Sequence, residues 1–400
     1  MMETPCTVTE ASQRILGLRG PVGKERCRLG EAAGRILRQE VVADRDFPPF
    51  NRVMLDGLAL RHADLVAGCR EFTILGAVPA GASPAELPEK SGAALEVATG
   101  AVLPEGADCI LPCEEYEERE SVAVLARDPG IKRGLAIHPQ GSDHRAGDVL
   151  LRPGQRLGPV EIGIAAACGC AQVEVSAPIR VVVIATGDEL AAVEANPREG
   201  QIRQTNAIAL AAALQMAGHA AVKTSALGDE RGSLREGLAA ALSGHDVVIV
   251  TGGVSRGRRD LVPPVLTDLG ARLILHGVAQ RPGKPMGVWQ MPEGTVVFGL
   301  PGNPVSALVC FRRYVLPALG PWSGGAPETG SRRILCGAFT RPPGLTLFLP
   351  VLEAGDGSLK PSPVANSGDF AGLAGTCGFV EIDESFAEGS TVPYFSWCPS

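Results

Sequence analysis

Three segments of this chain read as strands that end in turns able to hold an anion or a metal ion. The first is Val247-Val-Ile-Val-Thr251, a short apolar run that breaks into Gly252-Gly253 and reaches an acid at Asp260. A strand buried on both faces reads as such a continuous run. Paired glycines let the backbone turn with φ > 0 and bring N–H groups near an anion. The second is Ile179-Arg-Val-Val-Val-Ile-Ala-Thr-Gly187, followed by Asp188-Glu189. The third is Val297-Phe-Gly-Leu-Pro301-Gly-Asn-Pro304, where Pro304 suits the first turn of a helix because its missing N–H costs little there. Each alone is an ordinary strand-to-helix turn. Together they make a ligand cleft, because open α/β sheets bind ligands past the carboxyl ends of their strands.

The elements around these turns alternate. Strands are expected near 181–184, 221–225, 247–250, 273–275 and 296–298. Helices are expected near 207–217, 233–242, 261–269 and 304–319. That order predicts a parallel α/β domain. Upstream, residues 7–42 read as helical, with a capped helix from Thr7 and a second over Leu29–Leu37. Asp46-Phe-Pro-Pro-Phe-Asn51 is a rigid turn and a boundary. Short runs such as Glu71-Phe-Thr-Ile-Leu75, Ala94-Leu-Glu-Val-Ala98 and Cys109-Ile-Leu-Pro112 then predict a small β-rich domain, and 157–167 returns to helix. Past Pro321, short strands over 335–339, 346–352, 378–382 and 391–395 predict a small C-terminal β-barrel. The fold class is therefore α/β and multidomain. Residues 1–46 with 144–177 form a helical linker domain, 47–143 an inserted β-rich domain, 178–322 the α/β domain, and 323–400 the barrel.

Composition narrows the function. A net charge of −7 leaves no basic footprint for nucleic acid, and 4% aromatics offer no stacking surface for single strands. The 11 cysteines are an odd number without zinc-site spacing, which fits reduced thiols in a cytoplasmic protein better than a disulfide framework. No run is long and apolar enough to span a membrane.

The motifs, taken in order, resemble the molybdopterin molybdenumtransferase (MoeA) family, whose eukaryotic relative is the E-domain of gephyrin. They are Met54-Leu-Asp-Gly-Leu-Ala59, Ala98-Thr-Gly-Ala-Val-Leu-Pro-Glu-Gly-Ala-Asp108, Gly141-Ser-Asp-His-Arg-Ala-Gly-Asp148, Ala185-Thr-Gly-Asp-Glu-Leu190, Gly200-Gln-Ile-Arg-Gln-Thr-Asn206, Thr251-Gly-Gly-Val-Ser-Arg-Gly257, Arg281-Pro-Gly-Lys-Pro285 and Leu300-Pro-Gly-Asn-Pro-Val-Ser-Ala307. Singly they are weak signals; their shared order is a strong one.

The resemblance implies a transferase of molybdenum cofactor biosynthesis. It implies adenylylated molybdopterin and molybdate as substrates, and Mg²⁺ or another divalent cation for AMP release. The α/β domain is then MoaB/MogA-like. The resemblance also implies a homodimer whose clefts combine the α/β domain of one subunit with the β-rich domain of the other, and transient contact with molybdoenzymes or other cofactor-biosynthesis proteins.

Carried onto this chain, Glu189, Asp229 and Asp260 are the expected metal and catalytic acids, since Mg²⁺ takes one or two carboxylates and keeps several waters. Asp188 is the lesser candidate, because one of two adjacent acids often caps a helix. Lys284 and Arg281 offer cations to phosphate or molybdate. The backbone N–H groups of Gly252, Gly253 and Ser255 cradle the anion, and Pro301 and Pro304 shape the oxyanion pocket. Asp56, Thr99 and Asp143 face the cleft from the partner subunit. Arg258-Arg259 reads as a solvated face, and His144 and His276 as surface or packing residues.

The chain departs from the family pattern around this cleft. Arg52-Val-Met-Leu stands where Asn-Ser-Ala-Met is usual, and Leu58 where Tyr is usual. Ser142 and Arg258 replace glutamates, Gln204 an aspartate, Arg281 a lysine and Pro350 an arginine. These changes alter the charge of the cleft while the expected metal acids remain. The competing reading is a non-catalytic cofactor-binding or scaffold paralogue. A third, an enzyme that adenylylates molybdopterin, is opposed by the extra β domains on both sides of the α/β unit.

Overall fold

Every residue of Val181–Thr186 and Val247–Thr251 is buried. Side chains alternate across a strand, and both faces of these two are covered. Val181, Val183, Ala185, Val247 and Ile249 point into one apolar core, which the helices Asn206–Met216 and Pro304–Cys310 share. Val182, Ile184, Val248 and Val250 point into the other, shared with Arg231–Gly244 and Val262–Asp268. The computed structural model describes residues 5–18, 20, 23–125, 129–219, 221–255, 257, 260–328, 330–364, 366–387 and 389–398.

The α/β sheet has six strands in the order Val222–Leu227, Val181–Thr186, Val247–Thr251, Val296–Leu300, Gly287–Gln290 and Arg272–His276. The first four are parallel. Gly287–Gln290 runs antiparallel to both of its neighbours, so Arg272–His276 keeps the direction of the first four, and this one reversed strand corrects the expectation of an all-parallel sheet. The strand expected at 273–275 is present with the expected direction, and 287–290 is the strand that was not expected. The connection 277–286 is too short for a parallel crossover, which takes about a dozen residues, so the pair must fold back as a hairpin.

Two further expectations are corrected. The helix expected over Leu29–Leu37 is a single 3-10 turn, Leu29–Glu31, after a strand Lys24–Arg28 that pairs antiparallel with Gln172–Ser176. Gly30 and Gly34 disfavour helix there, and Gly34 sits at φ +77°. The strand expected over 335–339 lies instead at Ser331–Ile334, with Gly337 in the left-handed region just beyond it.

The first helix, Val8–Leu16, starts on a capping box in which Thr7 Oγ1 accepts from the Glu10 N–H and the Glu10 carboxylate accepts from the Thr7 N–H. Its inner face of Val8, Ala11 and Ile15 belongs to the first α/β core.

Residues Met1–Gln39, Pro153–Pro159 and Gln172–Ser400 form one unit, and Glu40–Arg152 with Val160–Ala171 a second. In the first unit a C-terminal sheet follows the α/β domain. Its order is Gln280–Arg281, Thr346–Glu353, Gly378–Ile382, Thr391–Ser396 and Ser331–Ile334, with Leu359–Pro361 paired to Thr346–Glu353. Gln280–Arg281 thus leaves the α/β hairpin to add an edge strand. The second unit holds a six-stranded sheet, with Gly57–Leu60 between Cys109–Pro112 and Ala93–Val97, continued by Glu71–Val78, Val122–Val124 and Glu117–Arg119. Among the described residues no helix is long and apolar enough to cross a membrane.

Candidate functional site

The carboxyl ends of the four parallel strands open on one cavity of about 590 Å³. Thr186-Gly187 and Glu189 follow the strand Val181–Thr186, and Asp229 follows Val222–Leu227. Gly252, Gly253, Ser255 and Asp260 follow Val247–Thr251, and Pro301–Pro304 follows Val296–Leu300. The structure therefore brings together Glu189, Asp229, Asp260, Gly252, Gly253, Ser255, Pro301 and Pro304 in one lining.

The acids are held in different ways. Glu189 folds back over Gly187, whose φ is +147°; a Cβ there would stand 2.5 Å from Glu189 Oε2. The absence of a side chain at Gly187 makes room for the carboxylate. Asp260 Oδ2 accepts from Ser255 Oγ at 2.5 Å and from the Gly257 N–H at 3.0 Å. Asp260 thus ties its own loop together while Oδ1 stays unbonded among the described residues. The Asp229 N–H donates to Asp188 Oδ1 at 3.0 Å. Burial pushes the Asp229 carboxyl above its ordinary value, and the charges of Asp188, Glu189 and Asp260 push the same way, against a separate hydrogen bond from the Asp188 backbone to that carboxylate. Among the described residues, no group of three or more His, Cys, Asp or Glu side chains closes on a metal-binding point.

The glycine turn offers fewer donors than expected. Gly252 and Gly253 take φ of +94° and +62°. The Gly252 N–H is already bonded to Leu300 O at 3.1 Å, which removes it from the expected set of backbone donors. Lys284 and Arg281 are exposed and stand outside the lining, although Pro285 is part of it. Arg258 and Arg259 lie outside the described residues.

Sequence reasoning missed Arg203, the cation in the lining among the described residues. Its Nε donates to Val193 O at 3.0 Å, and its short strand Ile202–Arg203 pairs with Leu190–Ala191 beside Glu189. The signal was the Gly200–Asn206 motif, where a cation lies between two turn-forming ends. Asn206, also unassigned, donates from Nδ2 to Gly302 O at 2.8 Å and so ties the helix start to the Pro301–Pro304 turn. His276 packs as expected, with Nε2 at 2.8 Å from Val254 O and its ring against Trp289.

In the second unit, Asp56 and Thr99 form a pair. Asp56 Oδ1 accepts from the Thr99 N–H at 2.7 Å and from Thr99 Oγ1 at 2.8 Å. These bonds, the backbone one foremost, hold the Asp56 carboxyl below its ordinary value. Asp143 lies 2.8 Å from His138 Nε2 through Oδ1.

The fold and this cavity define a multidomain α/β protein with a ligand cleft at the carboxyl ends of its parallel strands. Residues 182–321 match the family model of a probable molybdopterin binding domain, and residues 6–169 match that of the MoeA N-terminal region, domains I and II. The chain is 37% identical to a molybdopterin molybdenumtransferase of Synechocystis over 91% of its length and 93% of the relative's. It is 33% identical to molybdopterin molybdenumtransferase 2 of Mycobacterium tuberculosis over 90% and 91%. Its fold matches the crystal structure of a molybdopterin biosynthesis MoeA protein from Pyrococcus horikoshii with a TM-score of 0.82, at 28% identity, covering 98% of this chain and 99% of that one. The chain belongs to the molybdopterin molybdenumtransferase, or MoeA, family. It is a transferase of molybdenum cofactor biosynthesis with a MoeA-like fold.

Proposed function

We propose that this chain transfers molybdenum from molybdate to adenylylated molybdopterin in the cavity at the strand ends, with release of AMP. The observation that carries the reading is the convergence of Glu189, Asp229 and Asp260 on a Gly252–Gly253 turn within one cavity. Breaking a phosphoanhydride requires its negative charge to be neutralised and its phosphorus held. The Gly253 and Ser255 N–H groups and the Arg203 guanidinium supply positive partners for an anion. Lys284 and Arg281, exposed next to Pro285, extend this positive side for phosphate or molybdate.

Among the described residues the three acids line one cavity without closing on a single metal point, and a divalent cation that keeps its waters does not need all three to close on it. Mg²⁺ needs only one or two of them, because it keeps several waters. Glu189, Asp229 and Asp260 would hold it, and it would supply charge neutralisation at the phosphates. Pro301 and Pro304 shape the wall where an oxyanion sits.

The reading extends to the assembly. The chain acts as a cytoplasmic homodimer in which Asp56, Thr99 and Asp143 of one subunit complete the cavity of the other. Its product passes by transient contact to molybdoenzymes or other proteins of cofactor biosynthesis. The division into a linker domain (1–46 with 144–177), an inserted β domain (47–143), an α/β domain (178–322) and a C-terminal barrel (323–400) belongs to the same proposal.

The test is AMP release from adenylylated molybdopterin in the presence of molybdate and Mg²⁺. Wild-type protein releases AMP, and Asp260→Asn, which keeps an acceptor for Ser255 and Gly257, does not. No AMP from wild type overturns the function. Undiminished AMP from Asp260→Asn removes Asp260 from it.

A further inference from the structure

Arg52 and His138 stand directly opposite each other where Arg52–Val53 pairs antiparallel with Ile137–His138. Opposed residues of an antiparallel pair bring their side chains within reach. Arg52 Nη2 lies 3.1 Å from His138 Nδ1, and His138 Nε2 lies 2.8 Å from Asp143 Oδ1. The backbone holds all three in place. The Asp143 N–H donates to Phe47 O at 2.9 Å, and the Gln140 N–H donates to Asn51 Oδ1 at 2.9 Å.

The donors and acceptors in this chain permit one arrangement. A guanidinium has N–H groups and no acceptor, so His138 Nδ1 must offer a lone pair to Arg52. An ionised carboxylate only accepts, so His138 Nε2 must carry the proton given to Asp143. Both ends select the neutral Nε2–H tautomer. An imidazolium would set an N–H against the Arg52 N–H. The second nitrogen's partner fixes the tautomer, as it does for histidines that orient functional groups. With Oδ1 engaged by His138, and Ser142 Oγ 3.5 Å away on the same atom, Asp143 presents Oδ2 in a fixed direction.

We propose that Arg52 and His138 are positioning residues that lock His138 as the Nε2–H tautomer and thereby aim the Asp143 carboxylate. The lock stands on geometry alone; its consequence for turnover rests on the role given to Asp143 above. It also assigns work to Arg52, the cation introduced beside the Asp56 motif.

Two measurements test this on the full-length protein. The first is the pair of imidazole ¹⁵N shifts of His138 at pH 8. Wild type shows an unprotonated Nδ1 and a protonated Nε2, Arg52→Lys keeps that pattern, and the double variant Arg52→Met/Asp143→Ala, which removes both selecting partners, moves both nitrogens towards averaged values. Averaged shifts in wild type, or wild-type shifts in the double variant, overturn the lock. The second is steady-state AMP release. Arg52→Met and His138→Phe lower kcat about tenfold, the loss of one charge-assisted hydrogen bond, with KM unchanged. His138→Gln restores kcat, because an amide can accept from Arg52 and donate to Asp143. Equal kcat in all variants overturns the positioning role. Absence of AMP release from wild type counts against the functional reading, and the ¹⁵N shifts still decide the lock.

Discussion

Asp188 accepts the backbone N–H of Asp229 through Oδ1 at 3.0 Å. One acid of the Asp188-Glu189 pair therefore fixes the backbone that carries another acid of the cavity, while Glu189 itself faces the cavity. The two adjacent carboxylates divide the work between holding and lining. Asp188→Ala is expected to lower AMP release about fivefold by freeing the Asp229 backbone, with the fold intact. Asp188→Asn keeps an oxygen acceptor and should stay near wild type. Equal loss in both variants would show that the charge of Asp188, rather than its hydrogen bond, matters.

Asp229 gives a prediction about pH and metal. Its carboxyl is raised above the ordinary 3.8, by burial first and by the neighbouring acids next. A raised folded-state value means that the folded chain binds the proton more tightly than the unfolded one. The stabilising effect of protonation is then fully present below about 3.8, fades as pH rises through the folded value, and is absent at neutral pH. Asp229→Asn should therefore melt higher than wild type at pH 7 without divalent metal. Added Mg²⁺ should raise the melting temperature of wild type more than that of the variant. Scanning calorimetry with and without Mg²⁺ checks both, and an equal metal response in the two proteins excludes Asp229 as a ligand.

The strands and their turns were legible because burial on both faces leaves an unbroken apolar run. Val181–Thr186 and Val247–Thr251 announce themselves this way, and the glycine turns after them mark the cavity. The reversed strand 287–290 was not legible, since its direction depends on the length of a connection whose middle also pairs with the C-terminal sheet at Thr346–Leu347. Nor was the strand Lys24–Arg28, a polar run whose partner, Gln172–Ser176, lies far along the chain. Within the site, the family resemblance pointed to Glu189, Asp229 and Asp260, which line one cavity. It could not show that Arg203 reaches the lining, or that the Gly252 N–H is spent on Leu300, because both follow from three-dimensional neighbours.

Arg312 carries a prediction about stability. It is 3% exposed, within a π-type turn that joins the helices Pro304–Cys310 and Leu316–Trp322. Its guanidinium takes the Glu328 carboxylate with both terminal nitrogens, and its Nε donates to Ser396 O at 2.6 Å. Removing one partner of such a pair leaves a charge and a carbonyl short of partners. Arg312→Met should cost about 3 kcal/mol, at the low end for a buried pair because Glu328 is partly exposed. Urea unfolding followed by tryptophan fluorescence measures it. A cost below about 1 kcal/mol would show that water replaces the guanidinium, as at exposed pairs.

Gly187 and Gly252 separate site geometry from fold stability. Both occupy backbone regions that a side chain strains, which costs about 1–2 kcal/mol for a residue forced there. What a new Cβ would meet differs. At Gly187 it meets the Glu189 carboxylate, the far end of a flexible side chain that can swing away. At Gly252 it stands 2.6 Å from Thr186 O, a backbone atom of a central strand that cannot move without disturbing the sheet. Gly187→Ala should thus lose most AMP release for a modest drop in melting temperature, because Glu189 leaves its place. Gly252→Ala should lose AMP release and also destabilise the chain clearly further, because the Thr186–Gly252 approach joins two adjacent parallel strands. Melting curves and AMP release measured together decide the matter. Equal destabilisation by the two substitutions would show that Glu189 is packed as firmly as the strand, and that its carboxylate is a structural part of the turn rather than a mobile ligand of the cavity.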